Sequence, residues 1–196
     1  MRTLPTSLPA LVITMLLVVT CVTQAQQSPS LLPLAVGNSW SYEMTSSRRG
    51  RVDTALQTIA IDRDTVMSGI RMYRAPLGSG AWFGNGDGGV YAWSDDFGSE
   101  PVLFFRYPLA KGEGYEFTAD RQTFTIDVIA VDEIVELASG SARCIHYRMR
   151  SEEGEEAHVL IDPAIGVVKI ASGNTDRPSR ESVGGILKSF ALQQTR

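Results

Sequence analysis

Hydrophobic and polar residues alternate with a period of two along most of the chain after residue 39, and many of the alternating positions carry β-branched or aromatic side chains. This period is typical of strands that bury one face. The predicted strands are residues 40–45, 54–61, 70–74, 81–84, 90–93, 102–107, 115–118, 123–137, 143–150, 157–162, 167–171 and 185–192. The pattern therefore predicts an all-β fold of about 10–12 short strands with little helix.

Turn residues separate these strands. The segment Asn85-Gly86-Asp87-Gly88-Gly89 joins two of them, and Asn-Gly and Asp-Gly pairs adopt the positive φ values that tight hairpins need. Short strands joined by short turns favour antiparallel pairing. We expect one strongly curved antiparallel sheet, a half-barrel or an open barrel, formed by residues 31–192 as a single β domain, with 193–196 as a tail.

The N-terminal segment differs from the rest. Arg2 precedes an apolar run of 13 residues at 10–22, and a membrane-spanning helix needs about 20. The length and the preceding positive charge are typical of a secretory signal peptide. We predict a signal peptide at 1–25, cleavage after Ala25, and a flexible leader at 26–30. Loss of Arg2 changes the formal net charge from −4 to −5.

A second interpretation of this segment is lipidation. Val18-Val19-Thr20-Cys21 resembles a bacterial lipobox, in which Cys21 would be acylated and become the mature N-terminus. A Thr stands before Cys21, where Gly, Ala or Ser is usual, and this favours simple export. On either interpretation the protein is exported, to the periplasm or the outside of the cell, and Cys21 is its one predicted membrane anchor.

Composition excludes several classes of function. The pI near 5.2 argues against a nucleic-acid binder, because a phosphate backbone requires clustered Lys and Arg. The chain has 2 Cys, which rules out a disulfide-stapled mini-protein. After cleavage only Cys144 remains, as a buried thiol or as half of an intermolecular bridge.

Two segments 75 residues apart share the pattern P-L-A-x-G-x-x-aromatic-x-aromatic, at 33–42 and 108–117. Residues 163–167 keep the Pro and Gly of this pattern and lose its aromatic residues. Gly can take a conformation that a side chain would forbid, and the two aromatic residues would point to one face of the following strand. We interpret these segments as turns that lead into strands.

These segments resemble those of a broad set of secreted bacterial proteins that carry repeated P-L-x-x-G-x-x-W segments. The resemblance covers 32–42 and 108–115, with two shorter matches at 140–147 and 162–169. Tyr115 stands where the set usually has Trp. The resemblance implies a curved antiparallel half-barrel, distantly similar to periplasmic lipoprotein-carrier domains, and it implies no established activity.

Aromatic residues are concentrated between positions 82 and 107. Alternation requires one buried face, so most of them are expected in the core. If the sheet is curved, one set could line a concave apolar cavity that binds a ligand or a partner. The candidate binding residues are Trp82, Phe83, Tyr91, Trp93, Phe104 and Phe105.

The two histidines are the strongest candidates for catalytic or metal chemistry. Cys144 and His146 share one face of a strand, but residues two apart stand about 6.5 Å from each other, too far for a nucleophilic dyad. His158 lies on the next predicted strand. If His146 and His158 faced each other, a transition-metal site would be conceivable, although two histidines alone do not make a zinc site.

Other motifs are weaker. Four glutamates surround Gly154 without the ligand spacing of a calcium loop, so we expect a solvated hairpin tip at 152–156. The chain has no G-x-S-x-G, Walker or H-E-x-x-H motif and no spaced CxxC pair. We predict no catalytic residue, no metal and no cofactor.

The sequence thus favours an exported, non-enzymatic envelope protein that binds an apolar small molecule or an envelope protein on a concave aromatic face. One alternative is a hydrolase that uses His146 or His158 with a nearby carboxylate. A third interpretation is a structural scaffold domain of an envelope assembly, suggested by the internal repeat.

Overall fold

The computed structural model describes residues 30–48, 50–75, 80–95, 98–119, 122–174 and 181–193. The predicted signal peptide, Cys21, the leader up to residue 29 and the last three residues lie outside these ranges, and the statements about them stay predictions. No helix in the described ranges is long and apolar enough to cross a membrane.

Strands dominate the described chain. Their bounds are β1 (Ser39–Arg48), β2 (Arg51–Ala60), β3 (Arg63–Met67), β4 (Ile70–Arg74), β5 (Trp82–Gly86), β6 (Gly89–Trp93), β7 (Val102–Arg106), β8 (Gly114–Ala119), β9 (Gln122–Leu137), β10 (Gly140–Ser151), β11 (Glu155–Asp162), β12 (Gly166–Asn174) and β13 (Glu181–Ala191). The prediction of an all-β fold is confirmed. Strand β3 is the one that the alternation pattern missed.

The strands form two antiparallel sheets. The first has eight strands in the order β2-β1-β13-β12-β11-β10-β9-β8, and the second has five in the order β3-β4-β5-β6-β7. Each sheet ends in two different strands, so within the described ranges neither closes on itself. The architecture is therefore open, as predicted, and it consists of two sheets rather than one.

The two repeated segments form equivalent turns. Gly37 and Gly112 have φ values of 91° and 86°, which are unfavourable for any residue with a side chain. The amide after each glycine donates to the carbonyl two residues before that glycine, at 3.1 Å in both turns. Trp40 and Tyr115 follow, and both are buried. The predicted strand-entry turns are thus present in both halves of the chain.

Two apolar clusters join the sheets. The larger one connects β6 and β7 with β8 to β11, and the smaller one connects β1, β2 and β13 with β4 and β5. Fully buried side chains contribute about 1.5–3 kcal/mol each. The largest fully buried residues of these two clusters are Leu31, Ile61, Ile126, Tyr147, Ile161 and Leu187.

A third cluster lies within the larger sheet. Its buried members, Ala142, Cys144, Leu160 and Val168, belong to β10, β11 and β12. Cys144 and its neighbour Ile145 are both buried, although successive strand residues normally point to opposite faces. Here the two neighbours belong to different clusters, Cys144 to this one and Ile145 to the larger one, so both faces of the sheet are covered at this point.

Candidate functional site

Strands β10 and β11 bring the two histidines of the chain together. In their register Arg148 pairs with His158 and His146 pairs with Leu160, so the histidines lie diagonally on one face. His146 Nε2 is 2.7 Å from His158 Nδ1, and the ring centroids are 5.0 Å apart. His146 and His158 therefore face each other, which the sequence had left as a condition.

A carboxylate holds the far nitrogen of each ring. Glu133 Oε2, from β9, is 2.7 Å from His146 Nδ1, and Glu156 Oε1, from β11, is 2.8 Å from His158 Nε2. The side chains of His146 and His158 are 14% and 34% exposed, so the chain of four groups is only partly open to solvent. We call these four residues the Glu-His-His-Glu chain.

The contact between the rings requires a shared hydrogen. Ionised carboxylates only accept hydrogen bonds, so Glu133 and Glu156 each take an N–H from the ring beside them. The remaining nitrogens of His146 and His158 then face each other, and one N–H hydrogen must lie between them.

The same distance decides against a metal bridge in this arrangement. Two imidazole nitrogens bound to one tetrahedral zinc ion lie roughly 3.3 Å apart, because each Zn–N bond is about 2.0–2.1 Å long. The nitrogens of His146 and His158 are 2.7 Å apart, which suits a hydrogen bond. Across the described residues, no group of three or more His, Cys, Asp or Glu side chains converges in a way that could hold a metal ion.

The geometry meets only some of the requirements of the hydrolase hypothesis. Each histidine contacts a carboxylate, as that hypothesis requires, but both ring nitrogens of His146 are already hydrogen-bonded. Cys144 is fully buried, and burial raises the pKa of its thiol to about 12, with the charges of Asp162 and Glu133 adding to the effect. Cys144 is therefore held as a thiol and does not form a nucleophilic pair with His146.

The six aromatic candidates divide between two sides of the smaller sheet. Trp82 pairs with Trp93 and Gly84 with Tyr91, whereas Phe83 pairs with Ala92 on the other face. Trp82, Tyr91 and Trp93 thus share one side, which we call the outer aromatic face. The sequence named six candidates and left open which set of them lines a binding surface, and the strand register now separates Phe83 from this side.

The three phenylalanines pack against the core. Phe105 is buried, and its ring centroid is 4.9 Å from that of Tyr147 in the larger sheet. Phe104 meets Phe105 and Phe117 edge to face, at 4.6 and 5.5 Å. Phe83 packs against both clusters that join the sheets. The three phenylalanines thus belong to the packing between the two sheets.

The outer aromatic face is partly exposed, and Met72 lies on the same side of the sheet. Met72 is fully buried beside Gly84, where an added Cβ would lie only 2.6 Å from the Met72 sulfur. The polar ends are bound within the sheet's own turns, since Trp93 Nε1 donates to the Gly98 carbonyl and the Tyr91 hydroxyl to that of Asp87. The side chains of Trp82, Tyr91 and Trp93 are all partly exposed.

A shallow polar cleft of about 270 Å³ lies elsewhere, on β8, β9 and β10. Its lining residues are Glu116, Thr123, Thr125, Arg150, Ser151 and Glu152. None of the six aromatic candidates borders this cleft. In the adjacent acidic turn, Glu153 accepts a hydrogen bond from Gln122 and Glu156 is bound to His158, so these two carboxylates point to different partners.

Sequence reasoning found both histidines but neither glutamate of the chain. Glu133 lies 13 residues before His146, and its approach depends on the register shifts of β9 against β10. Glu156 was interpreted as part of a solvated tip, although its place two residues before His158 on one strand puts the two on the same face. That spacing was the signal available in the sequence.

The chain matches no protein-family model and no curated protein sequence. Among solved structures, it is similar to a protein from Bacteroides fragilis NCTC 9343, inferred to be exported and to have a YmcC-like fold, at 12% identity and a TM-score of 0.49. That match covers 83% of this chain and 99% of the other.

A second similar structure is a protein from Parabacteroides distasonis ATCC 8503 that is inferred to be a lipoprotein, at 9% identity and a TM-score of 0.46. The match covers 85% of this chain and 100% of the other. At these values neither similarity carries a functional argument, and the function proposed below rests on this chain alone.

Proposed function

We propose that the protein is an exported, non-enzymatic binding protein that contacts a partner protein of the cell envelope through its outer aromatic face. Export rests on the signal-like segment at 1–25. The single observation that carries binding is the opposed pair Trp82 and Trp93, with Tyr91 beside it, on one partly exposed side of the smaller sheet.

Aromatic rings that are fixed and exposed are typical of protein contacts. Trp and Tyr are enriched at interfaces because they cover a large area and lose little conformational freedom. In this face Trp93 and Tyr91 are held by backbone carbonyls, and the Arg63 guanidinium lies 5.9 Å from the Trp82 ring centroid. The surface therefore needs little ordering before a partner binds.

A protein partner is favoured over an apolar small molecule. A small apolar ligand binds in a concave pocket that removes most of its surface from water. Phe83, Phe104 and Phe105 instead pack against the core clusters that join the two sheets. The aromatic surface that remains is the outer side of a sheet, which suits the broad surface of another protein better than a small molecule.

Site-specific photo-crosslinking in the native host tests this proposal. Tyr91→p-benzoylphenylalanine places the probe in the outer aromatic face, and Phe190→p-benzoylphenylalanine, at a side chain that is 39% exposed on β13, is the matched control. We expect one discrete protein adduct from position 91 and none from position 190. Trp82→Ala together with Trp93→Ala should abolish the adduct.

Other outcomes overturn the proposal. A lipid-sized mass increase at position 91 would assign the face to an apolar ligand instead. The same adduct from both positions, or no adduct at position 91, would remove the claim that this face binds a specific protein. Mass spectrometry of the exported chain tests the other half of the proposal, because an intact N-terminus at Met1 would contradict export by signal cleavage.

A further inference from the structure

Strand β2 forms one free edge of the larger sheet. It is the terminal strand of the order that begins β2-β1, and all ten of its residues pair with β1 without a register shift. The strand is therefore long and regular, and its second edge presents unpaired backbone N–H and C=O groups. Natural proteins usually protect such an edge with charge, proline or a bulge.

Most of this edge lacks that protection and carries apolar side chains. Residues 54–60 contain no charged residue, no proline and no glycine. Val52 is 63% exposed and Leu56 is 72% exposed, and with Thr54 they lie on the same face of the strand. A regular edge of this length, whose charges are confined to Arg51 and Asp53 and which carries exposed apolar side chains, is suited to pairing with another strand.

The other terminal strands of the two described sheets differ. Strand β3 has five residues and begins with Arg63 and Asp64, and β8 has six residues. The edge of β7 is covered, because the Arg106 amide donates to the Tyr115 hydroxyl and the Arg106 carbonyl accepts from Tyr147. Among these four, β2 alone combines length, regularity and exposed apolar side chains.

The register of β2 against β1 shows which of its backbone groups face outward. Arg48 pairs with Arg51 across a two-residue turn, so these two residues form a hydrogen-bonded pair. Hydrogen-bonded pairs alternate along an antiparallel ladder, and residues 51, 53, 55, 57 and 59 therefore bond to β1. Residues 52, 54, 56 and 58 turn their N–H and C=O groups to the free edge.

We propose that β2 pairs antiparallel with β2 of a second copy of this chain, with Thr54 opposite Thr54. In that register Val52 lies opposite Leu56 of the other copy, twice by symmetry, and both residues belong to the set with outward backbone groups. Arg51 meets Gln57, and Asp53 meets Ala55. Apolar side chains thus meet apolar side chains, and no like charges are opposed.

Neighbouring registers match less well. A shift of the symmetry centre to residue 53 places Asp53 opposite Asp53, and a shift to residue 55 places Val52 opposite Thr58 and Thr54 opposite Leu56. A shift to residue 56 opposes the two Leu56 side chains but sets Asp53 against Ile59. The self-complementarity of the register centred on Thr54 is the reason for naming a second copy as the partner.

Sedimentation across a range of concentrations tests the association. We expect a monomer–dimer equilibrium whose dissociation constant Leu56→Lys raises about tenfold or more, because the new charge lies opposite Val52 in the paired edge. Thr54→Pro removes an outward N–H and should have a similar effect without loss of a bond to β1. Val66→Lys, at a residue that is 68% exposed on β3, is the matched control and should leave the equilibrium unchanged.

Spin labels test the register. Thr54→Cys and Thr58→Cys are labelled separately in a Cys21→Ser background, where Cys144 is buried and unreactive. The proposed register places the two residues 54 side by side and the two residues 58 about 26 Å apart, from a rise of about 3.3 Å per residue. Strong dipolar broadening at 54 alone supports the proposal. The proposal would be overturned by a protein that is monomeric at every concentration or by equal broadening at both sites. It would also be overturned if the Leu56→Lys variant folds and still forms the dimer.

Discussion

His146 and His158 face each other from adjacent strands, with 2.7 Å between Nε2 of the first ring and Nδ1 of the second. Each ring is held from behind by a carboxylate, Glu133 for His146 and Glu156 for His158. The arrangement ties β9, β10 and β11 together through side chains as well as through the backbone. It is consistent with a chain of hydrogen bonds that stabilises the larger sheet.

The two rings should be energetically coupled. The hydrogen bond between the rings is lost when either ring is removed. His146→Ala and His158→Ala should therefore each lower the free energy of unfolding by about 1–2 kcal/mol. The double variant should lose about 1 kcal/mol less than the sum of the two single losses. Urea unfolding of the four proteins measures this coupling. Additive effects would show that the contact between the rings contributes nothing to stability.

Nitrogen NMR can read the state of the rings directly. The chain contains two histidines, so ¹⁵N-histidine labelling reports only on this site. In His158→Gln, the hydrogen bond to Glu133 should keep the hydrogen of neutral His146 on Nδ1 and leave Nε2 without one. A neutral His146 with its hydrogen on Nε2 would contradict the hydrogen bond to Glu133. Glu133→Gln in the same background is the control that should release this preference.

Cys144 should be unreactive in the folded chain. Burial raises the pKa of its thiol from 9.0 to about 12, so in Cys21→Ser protein at pH 8 a thiol reagent should react only after unfolding. The unfolded chain releases this proton at lower pH than the folded chain does. Stability should therefore fall as pH rises from about 9 toward 12, and Cys144→Ala should reduce that dependence. Rapid reaction of the folded protein at pH 8 would contradict the burial of this thiol.

Asp127 should contribute stability that acid removes. Its carboxylate accepts hydrogen bonds from Arg148 and Arg150, both at 2.8 Å, and the bond from Arg148 is the main reason that its pKa is lowered. A lowered pKa in the folded state means that this stability is present above the ordinary carboxyl pKa and is lost as pH falls through the folded value.

Asp127→Asn should therefore cost about 1 kcal/mol at pH 7, and the difference from the parent should shrink in acid. The control is Asp53→Asn, since Asp53 is 62% exposed in its pair with Arg51 and should contribute less than about 0.5 kcal/mol. Thermal or urea unfolding at pH 7 and in acid gives both differences. Equal effects of the two substitutions would contradict the prediction.

Gly84 should not tolerate a side chain. A Cβ at this position would lie 2.6 Å from the Arg71 carbonyl oxygen and 2.6 Å from the Met72 sulfur. Gly84→Ala should destabilise the protein by about 2 kcal/mol, because backbone must move. Gly184→Ala is the matched control, since its nearest contact would be 3.8 Å from the Ile170 oxygen. Urea unfolding of both variants checks this, and similar stabilities would contradict the close approach at Gly84.

Much of the local structure could be predicted from the residues alone. Alternation located twelve of the strands, and the Pro-to-aromatic segments located the turns before Trp40 and Tyr115, because both signals act within about ten residues. Strand β3 was missed because Val66 is exposed and Arg63 and Asp64 obscure the alternation. Its position at the edge of the smaller sheet, rather than its own sequence, makes it a strand.

The candidate site could be predicted only in part. His146 and His158 were expected on neighbouring strands, since the connection between those strands is short. The approach of Glu133 depends on two register shifts between β9 and β10, and such shifts are decided by packing on both faces of the sheet. The division of the aromatic residues likewise depends on which side of β5 and β6 meets the larger sheet.

The sequence by itself determined the class of the fold and the place of most strands and turns, because both follow from short-range periodicity and turn chemistry. The signal peptide at 1–25 stays a prediction. Only the tertiary structure decided that there are two sheets, that β1 pairs with β13 across most of the chain, and that four side chains form the Glu-His-His-Glu chain. Such pairings join residues far apart in the chain. They are selected by the burial of whole faces, and no local pattern records which faces will meet.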